Sequence, residues 1–319
     1  MDGPVTRARV SRSATALLIP LLTLAMLIWG GTWPLGKIVS TEAPHEVTIF
    51  WRFLLSTVAF APVLLLMRRS AATSPTTAGA RAMRFSTMPP RAWLYTVATA
   101  AVMIVYNLLY LEGLQRGLAG VGGIVAPTVG ALVTGIVTMV FRRRRPGTLT
   151  VLGLLLGLAG GLVILRIWRF SLAELSLSGN LLFIGAAVAW SAVTFLSQQA
   201  QEASHFATHT FATYALAAVI AFPLAQHGGA LLPPGGGASF WLLVLYLGVG
   251  ATAFATTVFF VSASRLGTGR TGSFLFIVPT SAILLAWLLL GERPDAASLV
   301  GGALSIAAVY LVNAPQRSP

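Results

Sequence analysis

Long stretches of this chain carry no Asp, Glu, Lys or Arg: 13–36, 53–67, 92–111, 117–141, 146–165, 175–201, 203–264, 271–291 and 296–316. A helix needs roughly 20 apolar residues to cross the hydrocarbon of a bilayer, and a bilayer admits only helices or closed barrels. Composition agrees: 56% of the residues are hydrophobic and 9% charged, with mean hydropathy +0.83, where a soluble domain carries about 25% charged residues. The run 203–264 is too long for one helix, and "QHGGALLPPGGGAS" (226–239) divides it. The second run is short unless its helix starts near Val47 and takes Arg52 into the membrane. The expectation is an all-α, polytopic membrane protein with ten transmembrane helices behind a tail at 1–13.

The net charge of +13 would suggest nucleic acid in a soluble chain. In a membrane protein, basic residues instead mark cytoplasmic loops. With the N-terminus inside and sides alternating, Arg7, Arg9, Arg12, Arg68, Arg69, Arg81, Arg84, Arg91, Arg142 to Arg145, Arg265, Arg270 and Arg317 fall on the inner side. The outer side holds Arg116, Arg166, Arg169 and Arg293 with Glu42, Glu46, Glu112, Glu174, Glu292 and Asp295. This asymmetry predicts a bacterial inner-membrane protein with both termini cytoplasmic. It makes "FRRRRPG" (141–147) an anchor near anionic headgroups, not a nucleic-acid site. Arg7, Arg9 and Arg12 before an apolar run also suit a signal peptide, but the run reaches Gly36 without a small-residue cleavage site. There are no cysteines, hence no disulfide and no thiolate metal site. His205 and His209 stand one helical turn apart without a third ligand, so neither metal nor cofactor is expected.

The chain repeats itself. "AMLIWGGTWPLGK" matches "AAVAWSAVTFLSQ", aligning Trp29 with Trp190; "LQRGLAGVGGIVAPT" matches "LGTGRTGSFLFIVPT", aligning Pro127 with Pro279; "RRPGTLTVLGLLLG" matches "ERPDAASLVGGALS", aligning Gly153 with Gly301. Five spans per half is odd, so the second half enters the membrane inverted, as in carriers built from inverted repeats. The halves run over 14–166 and 178–313. "WGGTW" in span one, Arg52 and Phe53 in span two, the two proline helices and "LLLGERP" also resemble the EamA domain, present twice, and so the drug/metabolite transporter superfamily. The first half departs from that pattern with "VFRRRRP" where the family has a Gly-Glu-Arg turn, which is read as structural.

An inverted repeat implies a site near the midplane between halves. The binding candidates are Trp33, Tyr106, Asn107, Tyr110, Trp190, Thr194, Thr256 and Ser281, with Thr32, Thr128, Thr134, Ser191, Thr252, Thr257, Ser273 and Thr280 as further polar positions. Asn107 is the sharpest, since a mid-span amide needs a partner that lipid cannot supply; substrate and a neighbouring helix serve equally well. Tyr106 and Tyr110 share a helical face, and Tyr110 also suits an interfacial belt. Most of the hydroxyls have an alternative in their own helix carbonyls. Trp29 and Trp190 read chiefly as repeat-equivalent packing residues. Pro127 and Pro279 are hinge candidates, because proline removes a helix hydrogen bond. Gly153, Gly157 and Gly161 form a close-packing face. Arg52 is expected to pair with Glu46 or Glu112 and Lys37 to reach the headgroups, with a substrate carboxylate as the alternative partner of either; Glu292 and Asp295 are expected to pair with Arg293 or face water.

Small multidrug-resistance pumps of the same superfamily use a glutamate in the first helix, and residues 13–36 contain none. Sugar-phosphate and nucleotide-sugar carriers need basic groups in the later spans, and 271–291 has none. What remains suits small amphipathic molecules, neutral or zwitterionic. The resemblance then implies a monomeric exporter of amino acids, aromatic ones included, or similar metabolites, working by alternating access and not as an enzyme. The rival readings are a nucleotide-sugar or sugar-phosphate carrier and, behind it, a channel.

Overall fold

The computed structural model describes residues 12–72, 84–142, 148–166, 168, 179–227, 231–232, 237–266, 274 and 277–313. The first half supplies α1 (Arg12–Glu42), α2 (His45–Ala72), a 3-10 turn (Phe85–Thr87), α3 (Pro90–Arg116), α4 (Ala119–Arg142) and α5 (Thr148–Leu165). The second supplies α6 (Gly179–Ala203), α7 (Phe206–His227), α8 (Ala238–Leu245), a π-helical segment (Tyr246–Ala255), α9 (Thr256–Leu266), α10 (Ile277–Leu290) and α11 (Ala296–Asn313). Residues at both junctions of the π segment are right-handed helical, so α8, the π segment and α9 form one rod. Six helices are long and apolar enough to cross a membrane: Leu17–Glu42, His45–Ser70, Pro90–Arg116, Gly179–Ala203, Phe206–His227 and Ala238–Phe259. Ile277–Leu290 and Ala296–Ala308 are shorter and also apolar. At 1.5 Å per residue the six measure roughly 33–40 Å, enough for a hydrocarbon core of about 30 Å.

Helix limits follow local chemistry. α2 starts at His45, so Arg52 is its eighth residue, inside the helix as its length required. α3 opens with Pro90 at the first helical position, where a missing N–H costs nothing. α7 stops at His227 and α8 begins at Ala238, on either side of the Pro/Gly breaker. "FRRRRPG" lies largely outside the described residues.

The helices pack in a definite pattern. α3 runs along α6, α1 along α10, α4 along α6, α2 along α7, α5 along α11 and α4 along α10, while α1 and α2 both lie on the π segment. α5 and α11 run together, and Gly153, Gly157, Gly301 and Gly302 on them are buried. The core clusters Phe53, Phe60, Leu114, Phe183, Phe240 and Leu247. Leu65, Leu66, Leu94, Leu242 and Leu288 face outward, an arrangement that water penalises and hydrocarbon does not.

Candidate functional site

Side chains from both halves meet at the π segment. Winding from Tyr246 to Ala255 reroutes backbone hydrogen bonds, and π segments concentrate at functional sites. Three of its carbonyls accept bonds from other helices: Gly248 O from Ser56 Oγ of α2 (3.0 Å), Ala251 O from Trp29 Nε1 of α1 (2.9 Å) and Thr252 O from Tyr214 Oη of α7 (3.0 Å). Tyr246 Oη donates back to Ile28 O of α1 at 2.7 Å. The small residues of "GVGATA" (248–253) let neighbouring backbones approach. A Cβ on Gly248 would lie 2.7 Å from Arg52 O.

Against this segment sits Arg52. Its Nη1 donates to Asn107 Oδ1 at 2.8 Å and its Nε to Thr252 Oγ1 at 3.1 Å. Both acceptors are held in turn: Asn107 Nδ2 donates to Met103 O (2.8 Å) and Thr252 Oγ1 to Leu247 O (2.8 Å). The expected pairing of Arg52 with Glu46 or Glu112 is not found. Glu46 belongs to the first turn of α2, six residues or roughly 9 Å back along the axis. Glu112 is occupied by His45 Nδ1 (3.2 Å) and by Arg116 one turn on.

Aromatic rings continue the cluster. Tyr106 stacks on Tyr110 (centroids 5.9 Å apart, planes 19° apart) and contacts Trp190 (5.1 Å). Trp33 meets Tyr110 edge-on at 5.2 Å and Phe183 at 5.9 Å. Tyr110 Oη donates to Thr32 O, so its hydroxyl bonds α1. Trp33, Asn107 and Tyr110 are buried, whereas Trp190 is 40% exposed, which leaves it the open member of the group. The hydroxyls mostly bond their own helices: Thr32 to Trp29 O (2.6 Å), Thr194 to Trp190 O (2.9 Å), Thr256 to Ala251 O (3.4 Å), Thr257 to Ala253 O (2.6 Å) and Ser281 to Val278 O (3.0 Å). Ser281 also abuts α1, since a Cβ on Gly30 would overlap its Oγ. Ser191 Oγ donates to Gly130 O of α4 at 2.9 Å. Pro127 lies within α4, while Pro279 is the third residue of α10. The side chains of Thr128, Thr134, Ser273 and Thr280 lie outside the described residues.

Five of the six described acids gather at one end of the bundle; Glu202 lies at the far end of α6. Lys37 Nζ does not reach for headgroups; it donates to Glu292 Oε1 (2.9 Å) and Gly117 O (2.7 Å). Glu292 also accepts from Ala119 N (3.2 Å) and Gly120 N (3.1 Å), closing the exposed N–H groups at the start of α4. A carboxylate there is favoured by the helix dipole. Asp295 pairs with Arg166 and caps α11 through Ser298 N (2.7 Å); neither acid pairs with Arg293. Glu42 accepts from Ser239 Oγ (2.8 Å). Beside it, an open recess of about 410 Å³ is lined by Ser40, Thr41, Glu42, His45, Glu46 and Gln115. His209 bridges Thr96 Oγ1 and Ser197 Oγ, each at 3.0 Å, and so ties α7 to α3 and α6. Among the described residues no three metal-ligating side chains converge.

The EamA-like transporter family matches residues 16–166 and, a second time, residues 177–314. An uncharacterized transporter of Archaeoglobus fulgidus is 26% identical over 302 residues, covering 93% of this chain and 97% of the relative. A probable terminal-alkyne amino-acid exporter of Streptantibioticus cattleyicolor is 36% identical over 91 residues, 28% of this chain and 29% of that protein. A solved crystal structure superposes with TM-score 0.61 over 95% of this chain and 98% of its own, at 21% identity, a likeness of fold.

Proposed function

The chain belongs to the EamA-like transporter family, a multi-pass membrane transporter, and from that premise we propose that it exports amino acids and similar small amphipathic metabolites by alternating access. The observation that carries this reading is the polar and aromatic cluster where the halves meet. Arg52 and Asn107 come from the first family match and Thr252 from the second. Charged and amide groups are rare inside membranes, and where present they mark substrate paths. Tyr106, Tyr110 and Trp190 supply an apolar surface beside them. The candidate site thus comprises Trp33, Tyr106, Asn107, Tyr110 and Trp190, with Thr194, Thr256 and Ser281 on its flanks.

The architecture we propose is ten spans in two inverted halves, with α8, the π segment and α9 as one span. Two features support it. The family matches twice in tandem. The helix pairings also interchange when the halves are exchanged: α1 with α10 becomes α6 with α4, α1 with the π segment and α9 becomes α6 with α3, and α2–α7, α4–α10 and α5–α11 map onto themselves. Trp29 against Phe259 (5.3 Å) and Trp190 against Tyr106 (5.1 Å) follow the same exchange. In this scheme the acid-bearing end faces outside a bacterial inner membrane, both termini are cytoplasmic, and Lys37–Glu292 closes the outer end. The likeness, over part of the chain, to a probable terminal-alkyne amino-acid exporter favours amino acids as cargo.

Counterflow of individually labelled amino acids into proteoliposomes tests the function. Saturable exchange is expected; flux that never saturates would identify a channel, and no flux would remove amino acids as cargo. Single cysteines at 144 and 293 test the inverted halves, and labelling from opposite compartments is the expected result.

A further inference from the structure

The middle of the bundle holds a cation whose charge no described carboxylate balances. A guanidinium stays protonated throughout the physiological range, and a charge inside hydrocarbon is tolerated only where it finds compensation. Arg52 lies roughly 10 Å along α2 from its start. The chain has eight acids. The six among the described residues sit in terminal turns or loops of the bundle, and none pairs with Arg52. Among the described residues its hydrogen bonds go to two neutral oxygens, Asn107 Oδ1 and Thr252 Oγ1. A guanidinium has five N–H donors, so three, including both on Nη2, have no acceptor among the described residues.

This arrangement differs from a structural ion pair. Asn107 and Thr252 are each anchored to a backbone carbonyl, Met103 O and Leu247 O, so they fix the guanidinium without neutralising it. The remaining donors form a planar fork whose best complement is a carboxylate bound through two oxygens. The anchors belong to different halves, so relative movement of the halves alters how the fork is held. We infer that Arg52 binds the carboxylate of the transported molecule, with Asn107 and Thr252 as positioning residues and the Tyr106–Tyr110 pair beside its apolar part. The cargo class is then a small molecule with one carboxylate. The inference rests on the amino-acid reading above and adds the group that recognises it.

The test uses the purified full chain in proteoliposomes, with exchange of a labelled amino acid competed by that amino acid and by its carboxamide. Phenylalanine and phenylalaninamide come first, with 3-phenylpropionate and phenethylamine as single-group analogues. The expected result is competition by phenylalanine and 3-phenylpropionate, at least tenfold weaker for the amide and the amine. Equal competition by acid and amide overturns the inference while leaving an amino-acid carrier standing. If no labelled amino acid exchanges, the amino-acid reading falls and this inference with it. Arg52→Gln is expected to raise KM for the amino acid at least tenfold and to abolish the preference over the amide, with Arg52→Lys recovering part of both. An unchanged KM in Arg52→Gln overturns the inference. Should that variant fail to fold, the competition pattern of the unaltered protein still decides.

Discussion

At the acid-bearing end of the bundle, Lys37, Arg116 and Arg166 each have a carboxylate partner; in the middle, Arg52 has an amide and a hydroxyl. The two regions use polar groups for different ends. At the rim, Glu292 binds a lysine of α1 and the N–H groups of α4 from the other half of the chain, which locks helix ends together. In the interior the donors are oriented by neutral neighbours, and charge is left over. Changes at the rim should therefore act on stability and on the balance between conformations, and changes in the interior on what is carried.

The largest stability effect is expected from Glu292→Ala. It strands Lys37 and two N–H groups together, and the Lys37 and Glu292 side chains are only 25% and 12% exposed. Removing one partner of a fully buried pair costs about 3–5 kcal/mol; partial exposure and screening reduce this to about 2–3 kcal/mol. The measurement is thermal unfolding in detergent, with Glu292→Gln falling between. An unaltered midpoint would mean that the rim contact holds nothing together. The preference for acid over amide should survive in both variants.

Gly248→Ala carries the comparison into the middle. Its new methyl would meet the Arg52 carbonyl at 2.7 Å, and backbone cannot turn aside as a side chain can. Overpacking of this kind costs about 1–3 kcal/mol, and here it also displaces the helix that bears the guanidinium. Gly120→Ala is the control at the rim, where the nearest atom, Ala286 Cβ, is 3.7 Å away; that variant should unfold like the parent. Equal effects at the two glycines would contradict the packing described.

Asn107→Ala should reduce amino-acid exchange about tenfold, which corresponds to about 1.4 kcal/mol of lost binding. Its stability loss should be near 1 kcal/mol, typical of one hydrogen bond between membrane helices. Exchange kinetics and unfolding on the same preparation separate the two. If stability falls by several kcal/mol and the residual protein transports normally, Asn107 is a packing residue alone.

How far the sequence foretold these regions also differs. The six long apolar helices were legible because 20-residue charge-free runs admit few alternatives, and α7 and α8 stop and start at the breaker as its Pro/Gly content required. That Asn107 needs a partner followed from hydrocarbon offering none. Which group answers it was not legible, because Arg52 and Thr252 stand 55 residues before and 145 residues after it and meet only through helix packing. The rim pairs escaped for the same reason. Glu292 has Arg293 beside it in sequence, yet its carboxylate meets Lys37, 255 residues away, because α1 and α10 run together. The π segment left a weak trace, the run of small residues at 248–253. Glycine and alanine are common wherever membrane helices approach closely, so that run did not announce a change in winding.

Thr194→Val is the smallest effect expected and sets the boundary of the interior region. The substitution keeps the shape and removes one hydroxyl, whose hydrogen bond to Trp190 O stays within its own helix at 2.9 Å. Such a bond competes with the backbone and adds little to folding, so the unfolding midpoint should move by no more than about 0.5 kcal/mol. Exchange kinetics should be unchanged if recognition is confined to Arg52 and the rings around it. A several-fold rise in KM would show that the hydroxyl turns to the cargo when α6 moves, and would extend the binding surface beyond Trp190 along α6. The unfolding midpoint makes that distinction clean, because a change in KM without a change in stability cannot come from the packing of α6.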